Sequence, residues 1–496
     1  IPNVDFLHLY GPGSLHVLMA WYEIAGNTLT SERIFGLIQH FGIIFGLYAL
    51  ARAWGRSAAV AVAVASVFLV LTPIALQAMA WNGGLALAIW AVVFAVRATS
   101  LDTSTSRRNA WIAAGVLGGF SLTFRPDLIV ALGLAGGWLL WQNRSAWRPV
   151  LFGGLIGAIP MWVHLAMAGP TASFEGMVLD PVFNLRPGRE LPSPPSWGRI
   201  DGTLQALAEE APPWWGFPAL RASQSLFIWF FAMVVVNFGL VVLAWYLHRR
   251  TSGSPRSVVL MAGSLLALGV LPQALQRPDS THLSWVTCLS WPMTILAVIE
   301  VVRLRRPSTH PRLALTVGAG AVALLMFVVA PLFTYRYYLQ SVRMTVGDVA
   351  AAFPVDRNGR RFYMGTERSQ RASQAAVDTL GELAQPGDRL LVGPKDLART
   401  AYNDTYLYWL LPELEPATYF IEMDPGLANA PDSGLADDVA SADWLLLTGF
   451  WAGWFEPNTS VDDGSQAPNE VVRDQFCKVD SWEDDLVVLY RRCDEE

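Results

Sequence analysis

The first thirteen residues combine side chains that could carry out a proton transfer. They hold one carboxylate, Asp5, followed by His8 and Tyr10. A carboxylate can act as a general base toward a hydroxyl group. The turn signal Gly11-Pro12-Gly13 comes directly afterwards and precedes an apolar segment. Two interpretations are open at this point: Asp5 is the centre of an active site, or it simply caps the helix that follows.

The tripeptide Arg-Pro-Asp occurs twice, each time between two apolar segments. Arg125 and Asp127 belong to the first copy, and Arg277 and Asp279 belong to the second, which His282 follows closely. Arginine forms bidentate, charge-assisted hydrogen bonds to phosphate. Ionisable groups at membrane depth are costly and usually face a cavity or a partner. The alternative is that each arginine only snorkels to the membrane interface and pairs with its aspartate.

The composition is that of an integral membrane protein. Of the 496 residues, 53% are hydrophobic and 15% are charged, with a mean hydropathy of +0.35. A soluble domain carries about a quarter charged residues. The 21 tryptophans fit membrane interfaces, and three cysteines exclude a disulfide-rich scaffold or a Cys-rich metal site. The chain does not begin with Met, so we expect a processed or incomplete N-terminus that lacks an upstream membrane helix.

Hydropathy predicts ten spanning helices, or eleven with the missing first one. A helix over residues 14–25 precedes them. We expect it to lie at the membrane interface, because it is too short to cross a hydrocarbon core of about 30 Å. The predicted spans are residues 34–51, 57–76, 83–97, 109–124, 127–141, 149–168, 224–247, 257–275, 283–302 and 312–334.

Arginine-rich loops alternate strictly with the other loops, and the positive-inside rule places them in the cytoplasm. Their arginines are Arg52, Arg56, Arg97, Arg107, Arg108, Arg144, Arg148, Arg249, Arg250, Arg256, Arg303, Arg305, Arg306 and Arg312. The outward loops are residues 1–33, 77–82, 124–127, 169–223 and 276–282, together with everything after 335. Asp5 and both Arg-Pro-Asp segments are therefore predicted to share the outer face.

We divide the chain into a membrane domain, residues 1–335, and a soluble extracytoplasmic domain, residues 336–496. Predicted strands at 360–364, 388–392, 444–448 and 485–490 and a helix at 373–384 indicate a small α/β fold. Cys477 and Cys493 flank its last strand region and could pair in an oxidising compartment, whereas Cys288 is expected to be a packing residue within the membrane.

Residues 169–223 form the longest outward loop of the membrane domain and are rich in proline and tryptophan. The prolines argue against long regular helices. The tryptophans fit either a lid that rests on the lipid headgroups or a mobile surface loop.

An outward carboxylate beside several arginines fits the transfer of a sugar from a lipid-linked phosphate. Arg277 and Arg125, assisted by His282 or His8, would hold the donor phosphate and stabilise its developing charge. Asp5 would deprotonate the acceptor hydroxyl. Displacement without a second carboxylate as nucleophile would invert the anomeric centre, by the logic known for inverting glycosidases. No nucleotide-binding signature is visible, which also favours a lipid-linked donor.

Four further residues are predicted to support this site. Asp127 and Asp279 would orient the arginines, and either could bind a divalent cation. Tyr10 and Asn82, which follows Trp81 in another outward loop, complete the set. We predict no dedicated metal site and no other cofactor.

Three features resemble the first outer loop of the GT-C membrane glycosyltransferases, especially the bacterial relatives of the protein O-mannosyltransferases and the aminoarabinose transferases. They are Val4-Asp5-Phe6, Tyr10-Gly11-Pro12-Gly13 and an interfacial helix that ends at Gly26. The resemblance covers residues 1–335 in architecture. It implies a polyprenyl-phosphate-sugar donor, an outward-facing site, an initial spanning helix, and a catalytic base at the position of Asp5.

The resemblance has one clear departure and one extension. Many members of the family have a paired Asp-Glu in this loop, but Phe6 follows Asp5 here, which leaves the acceptor and any metal requirement open. The segments 402–406 and 412–414 resemble the outer domains appended to actinobacterial transferases of this kind, and we assign them no chemistry beyond a possible contribution to acceptor binding.

Two other classes of function remain open: a transporter or lipid flippase, and a non-catalytic envelope assembly protein. A transporter should place ionisable residues near helix midplanes, often at broken helices. Here they cluster at the predicted outer helix ends, which favours an enzyme. The sequence therefore predicts an inverting transferase in the cell membrane that moves a hexose or pentose to a glycan, lipid or protein of the cell envelope, with no nucleic-acid partner.

Overall fold

The computed structural model describes residues 1–70, 76–206, 220–251, 253–308, 310–329 and 352–493. Helices follow one another through the first 329 residues, and a domain with a β-sheet begins at residue 352. The chain is a polytopic α-helical membrane protein with a C-terminal α/β domain, which confirms the predicted fold class.

The helices of the membrane domain agree in order with the predicted ones. They are α1 (Pro12–Ala25), α2 (Leu29–Ala51), α3 (Arg56–Val70), α4 (Ala80–Thr99), α5 (Ser104–Phe124), α6 (Ile129–Gln142), α7 (Trp147–Gly157), α8 (Ile159–Ala168), the short α9 (Pro170–Phe174) and α10 (Thr203–Ala206), α11 (Ala222–Arg250), α12 (Pro255–Gln276), α13 (Ser280–Arg305) and α14 (Pro311–Val329). The predicted ends of the second and tenth spans, at 76 and 334, involve residues 71–75 and 330–334, which lie outside the described residues.

Fewer helices than predicted are long and apolar enough to cross a membrane. Among the described residues six meet that condition, and the pair α7–α8, bent by 50°, adds a seventh if it forms one span. Helix α6 is short, with 14 residues, and the described part of α3 has 15 residues. The sequence therefore predicts the positions of the helices well, but it does not predict how many of the described helices meet the condition for crossing a bilayer.

Helix α1 begins and ends where its sequence requires. Pro12 occupies the first turn, where a missing N–H costs nothing, and Gly26 ends the helix with a φ of 84° that favours glycine. The turn before it packs tightly on the end of α5: a Cβ at Gly11 would lie 2.0 Å from the carbonyl oxygen of Thr123. The N–H of Gly11 also donates to the carbonyl of Phe124 at 3.0 Å.

The C-terminal domain, residues 352–493, which we call the outer domain after its predicted location, contains a hairpin and a five-stranded sheet. The hairpin is β1 (Phe353–Arg357) and β2 (Arg360–Met364), and the sheet runs in the order β4-β3-β5-β7-β6. Its strands are β3 (Arg389–Pro394), β4 (Glu415–Pro416), β5 (Trp444–Thr448), β6 (Phe476–Trp482) and β7 (Val487–Arg492), and its helices are α15 (Glu367–Leu383), α16 (Tyr406–Leu410), α17 (Leu435–Ser441) and α18 (Ala467–Gln475).

Strands β3 and β5 pair in parallel in the buried centre of this sheet, and the short, exposed β4 adds a parallel edge. Strand β5 then pairs antiparallel with β7, and β7 with the edge strand β6. All four predicted strands exist, two of them with the predicted bounds. The strands β1, β4 and β6 are not predicted, because β4 has two residues and β6 is largely exposed and polar.

The long outward loop contains short helical segments in its described parts. Apart from α9 and α10, a wide π-helix spans Glu175–Asn184 with Pro181 inside it. The loop is bound to the outer domain, since the N–H of Thr203 donates to the carbonyl of Phe455 (2.8 Å) and the Asn458 amide donates to the carbonyl of Glu190 (2.7 Å). The segment 207–219, which holds several of its prolines and tryptophans, lies outside the described residues.

Cys477 and Cys493 form a disulfide with a Cα–Cα distance of 5.2 Å, which confirms the predicted pair. The bond closes the β6–β7 hairpin at the edge of the sheet. Cys288 is free and buried within α13.

The disulfide provides a test of the compartment that the outer domain occupies, because such bonds persist in oxidising surroundings. We expect protein denatured without reductant to take up one alkylating label, at Cys288, and to take up three after reduction, as counted by intact-mass spectrometry. The cells should be lysed into excess alkylating agent so that the count reports the state in the cell. Three labels without reductant would contradict an oxidised outer domain.

Candidate active site

The opening loop lies between the membrane helices and the outer domain. The N–H of Leu7 donates to the carbonyl of Tyr419 at 2.8 Å. Leu7 and Leu9 are buried in the same apolar cluster as Phe420 and Met423 of the outer domain. Because Gly11 is bonded to the end of α5, the few residues between these anchors are held in place from both sides.

Arg125 is fixed by two aromatic rings and one carboxylate. Its guanidinium carbon lies 5.0 Å from the ring centre of Tyr10 and 5.1 Å from that of Trp81. Its Nε and Nη2 donate to the two oxygens of Asp127 at 2.8 and 2.7 Å. Burial alone would lower the pKa of Arg125, but Asp127 raises it above the ordinary value. Arg125 is therefore a permanent cation in a fixed orientation.

The second Arg-Pro-Asp segment is organised by Asp279, which caps α13. One of its oxygens accepts from the N–H groups of Thr281 (2.8 Å) and His282 (3.0 Å), and the other accepts from Nδ1 of His282 at 2.7 Å. Arg277 Nε lies 3.8 Å from that second oxygen. Burial favours the neutral acid, but His282 and Arg277 hold the pKa of Asp279 below its ordinary value.

Two indole rings connect these segments. Trp81 stacks on Trp285 with ring centres 5.6 Å apart, and His282 meets Trp285 edge-on at 4.7 Å. Since Trp81 also contacts Arg125, residues from three predicted outward loops are brought together. Asn82 is buried in the first turn of α4.

Three residues that the sequence analysis did not assign to the site complete it. The Nη2 of Arg277 donates to the hydroxyl of Tyr402 at 2.9 Å. Arg189, from the long loop, lies over the ring of Tyr402 at 5.6 Å and forms an ion pair with Asp424. Burial would lower the pKa of Arg189, yet Asp424 and Tyr402 raise it well above its usual range. An arginine in an outward loop is itself a signal, but it does not distinguish Arg189 from Arg186 or Arg199 in the same loop.

The hydroxyl of Tyr10 lies within the electrostatic influence of both Arg125 and Arg189. Burial raises the pKa of its phenol, Arg125 and Arg189 lower it, and Asp424 raises it further, with a net rise. The hydroxyl therefore stays protonated at neutral pH and can donate a hydrogen bond. We refer to Arg125, Arg189 and Arg277 with Tyr10 and Tyr402 as the arginine cluster.

Arg277 has a buried hydrogen-bond donor that no described residue satisfies. Its Nε is buried without a hydrogen-bond partner among the described residues, and the same holds for one carboxylate oxygen of Glu456. The other oxygen of Glu456 accepts from the N–H of Leu204 at 2.8 Å. Burial raises the pKa of Glu456 to about 7, although Leu204 and Arg277 act in the opposite direction. Buried polar groups without a protein partner are commonly satisfied by water, an ion or a ligand.

Asp5 is exposed to solvent, whereas His8 is largely removed from it. Asp5 has a side chain that is 63% exposed, and it forms an ion pair with the terminal ammonium of Ile1. His8 packs edge-on against Tyr10, with ring centres 5.9 Å apart. Burial lowers the pKa of His8 to about 4, so the ring is neutral at pH 7. Any contact of His8 with a phosphate would therefore be a hydrogen bond and not an ion pair. The described residues contain no group of three or more His, Cys, Asp or Glu that could hold a metal ion.

No protein-family model matches this sequence, and no curated protein matches it. Among solved structures, the chain is similar to ArnT from Cupriavidus metallidurans bound to undecaprenyl phosphate, with a TM-score of 0.47, 12% identity and coverage of 98% of this chain and 88% of that chain. The apo state of the same protein gives a TM-score of 0.46 and 12% identity, covering 99% and 89% of the two chains. A likeness at this level assigns neither a substrate nor a residue role to this chain.

The raised pKa of Glu456 predicts a pH dependence of stability. The folded protein binds this proton more tightly than the unfolded chain, so the stabilisation is complete below about pH 4.5 and is lost as the pH rises through about 7. We expect thermal stability in detergent to fall between pH 5 and pH 8 by an amount on the order of 1 kcal/mol from this group. Glu456→Gln, which cannot ionise, should show a smaller fall. An equal fall in both proteins would contradict the assignment.

Proposed function

We propose that this chain is a glycosyltransferase that takes a sugar from a polyprenyl-phosphate donor and transfers it to a cell-envelope acceptor. The observation that carries the proposal is Arg277, whose side chain is 14% exposed where the ends of the membrane helices meet the outer domain. Its Nε is buried and has no hydrogen-bond partner among the described residues. A lipid-linked phosphate would reach this depth from the bilayer, whereas its sugar would extend toward the outer domain.

The arginine cluster would bind the phosphate and stabilise the charge that develops as it leaves. Arg277 supplies free N–H donors, and a guanidinium presents five of them in a planar fork that matches phosphate oxygens. Arg125 and Arg189 contribute positive charge. Their ion pairs with Asp127 and Asp424 hold each guanidinium group in a defined orientation. Tyr10, neutral His8 and His282 can donate hydrogen bonds. Such preorganised donors stabilise the transition state without reorganisation during the reaction.

Asp5 is the base in this proposal, because the opening loop carries it six residues before the anchored turn at Gly11, which holds Tyr10 on Arg125. The acceptor hydroxyl loses its proton to the Asp5 carboxylate as its oxygen forms a bond to the anomeric carbon. The bond from that carbon to the phosphate oxygen breaks, and polyprenyl phosphate leaves with the electron pair. Attack opposite the leaving group inverts the anomeric centre.

The proposal places the reaction on the outer face of the cell membrane, with the C-terminal domain extracytoplasmic. Its support is the alternation of arginine-rich loops and the disulfide of the outer domain. The transferred unit is a hexose or pentose, and the acceptor is a glycan, lipid or protein of the envelope.

The roles of base and phosphate ligand predict different kinetic effects. In transfer assays with polyprenyl-phosphate-linked [14C]mannose or [14C]arabinose and an envelope fraction as acceptor, Asp5→Asn should lower kcat by about 10²- to 10⁴-fold, because it removes basicity and keeps size. Arg277→Ala should lower kcat and also raise KM for the donor, since the phosphate is bound in the ground state and in the transition state.

Matched variants at exposed positions serve as controls for the two substitutions. Asp462→Asn and Arg199→Ala change the same residue types elsewhere and should leave kcat and KM unchanged. Full transfer by a folded Asp5→Asn protein, combined with loss of transfer in Glu456→Gln, would move the base to Glu456. Unchanged donor KM in Arg277→Ala would contradict the phosphate site.

A further inference from the structure

A cavity of about 730 Å³ lies between the start of α2 and the outer domain, and Arg125, Arg189 and Arg277 do not line it. Its lining comes from the end of α1 and the beginning of α2, from strand β2, and from the segments 403–409 and 450–451. The residues that matter below are Tyr22, Glu32, Arg33, Tyr363, Trp409 and Trp451. The volume is within the range of about 300–1,000 Å³ that small-molecule sites occupy.

Aromatic rings form much of the wall of this cavity and are held by specific contacts. Phe362 and Tyr406 stack in parallel, with ring centres 4.2 Å apart and 5° between the planes. The Trp409 indole N–H donates to the side chain of Asn27 at 3.2 Å and so connects the outer domain to the loop before α2. Ordered, half-buried aromatic faces suit ligands that offer flat patches of C–H groups, and the ring face of a sugar has this property.

The polar groups of the cavity nearly cancel in charge. Glu32 and Arg33 form an ion pair with each other. Asp404 accepts hydrogen bonds from Thr448 and from the indole N–H of Trp451. The pKa of Asp404 is raised by burial to about 6. A phosphate would find no unpaired arginine among these lining residues, whereas a neutral polyol could use their amide, hydroxyl and carboxylate groups.

One wall separates the cavity from the arginine cluster. Trp451 lines the cavity, and its ring packs on Tyr402 with centres 5.1 Å apart. The hydroxyl of Tyr402 accepts from Arg277 on the other side. A ligand against Trp451 would therefore lie two aromatic rings away from the guanidinium that is proposed to hold the donor phosphate.

We propose that this cavity binds a neutral carbohydrate and that it seats the glycan part of the acceptor next to the donor site. The acceptor role rests on the proposed function, while sugar binding itself does not. Tyr22 and Tyr363 would supply ring faces from opposite domains, so a bound sugar would also bridge α1 and strand β2. A cavity of this size has room for a di- or trisaccharide.

The test is saturation-transfer NMR on the full-length protein in an amine-oxide detergent that contains no sugar. The probes are maltotriose and the methyl glycosides of mannose, galactose and arabinose. We expect saturation of the protein to reach the C–H protons of at least one probe. Tyr363→Ala and Tyr22→Ala should each weaken that binding at least tenfold, whereas Phe183→Ala, an exposed aromatic of the long loop that does not line the cavity, should bind as the unmodified protein does.

The outcomes separate this inference from the proposed function. Inorganic phosphate at millimolar concentration should leave sugar binding unchanged, and a loss of binding in phosphate would place the sugar in the arginine cluster instead. Absence of saturation transfer to every probe, or equal binding by all three variants, would overturn the cavity as a carbohydrate site. Because no donor is present, failure of the transfer reaction would not affect any of these results.

Discussion

The close contact between the turn at Gly11 and the end of α5 is the constraint on which the rest of the site depends. Only a glycine fits there, since a Cβ would overlap the Thr123 carbonyl oxygen at 2.0 Å. The contact fixes the residue before the turn, Tyr10, over the residue after α5, Arg125. At its other end the loop enters the core of the outer domain through Leu7 and Leu9. The opening loop thus contacts Arg125 through Tyr10 and the core of the outer domain through Leu7 and Leu9.

Buried charge then determines how the two domains meet. A guanidinium removed from water is costly unless a carboxylate or aromatic face compensates it. Arg125 pairs with an aspartate of its own loop, whereas Arg189 in the long loop pairs with Asp424 of the outer domain. Arg277 contacts Tyr402 of the outer domain and leaves Nε without a hydrogen-bond partner among the described residues. The cluster is thus assembled only when the two domains are together.

The sequence was informative wherever a local physical rule applied. Hydropathy located the helices, glycine and proline located the ends of α1, and the repeated Arg-Pro-Asp identified two segments that stacked tryptophans join. It did not reveal Arg189, Tyr402 or Asp424, because their contacts span from 125 to 235 residues of chain and no local pattern encodes them. It also predicted more membrane crossings than the described helices support, since hydropathy alone does not determine whether a short apolar helix crosses the bilayer. The roles of Asp5, His8, Arg125, Arg277 and His282 are proposals.

The most direct test of the central claim is a structure of the full-length protein in lipid nanodiscs with undecaprenyl phosphate added. The account predicts the phosphate at the arginine cluster, with an oxygen about 3 Å from the Nε or an Nη of Arg277. The same experiment with Arg277→Ala should show the phosphate displaced or absent. A phosphate bound away from Arg125, Arg189 and Arg277, for example beside Arg249 at the opposite ends of the helices, would contradict the assignment of this cluster as the donor site.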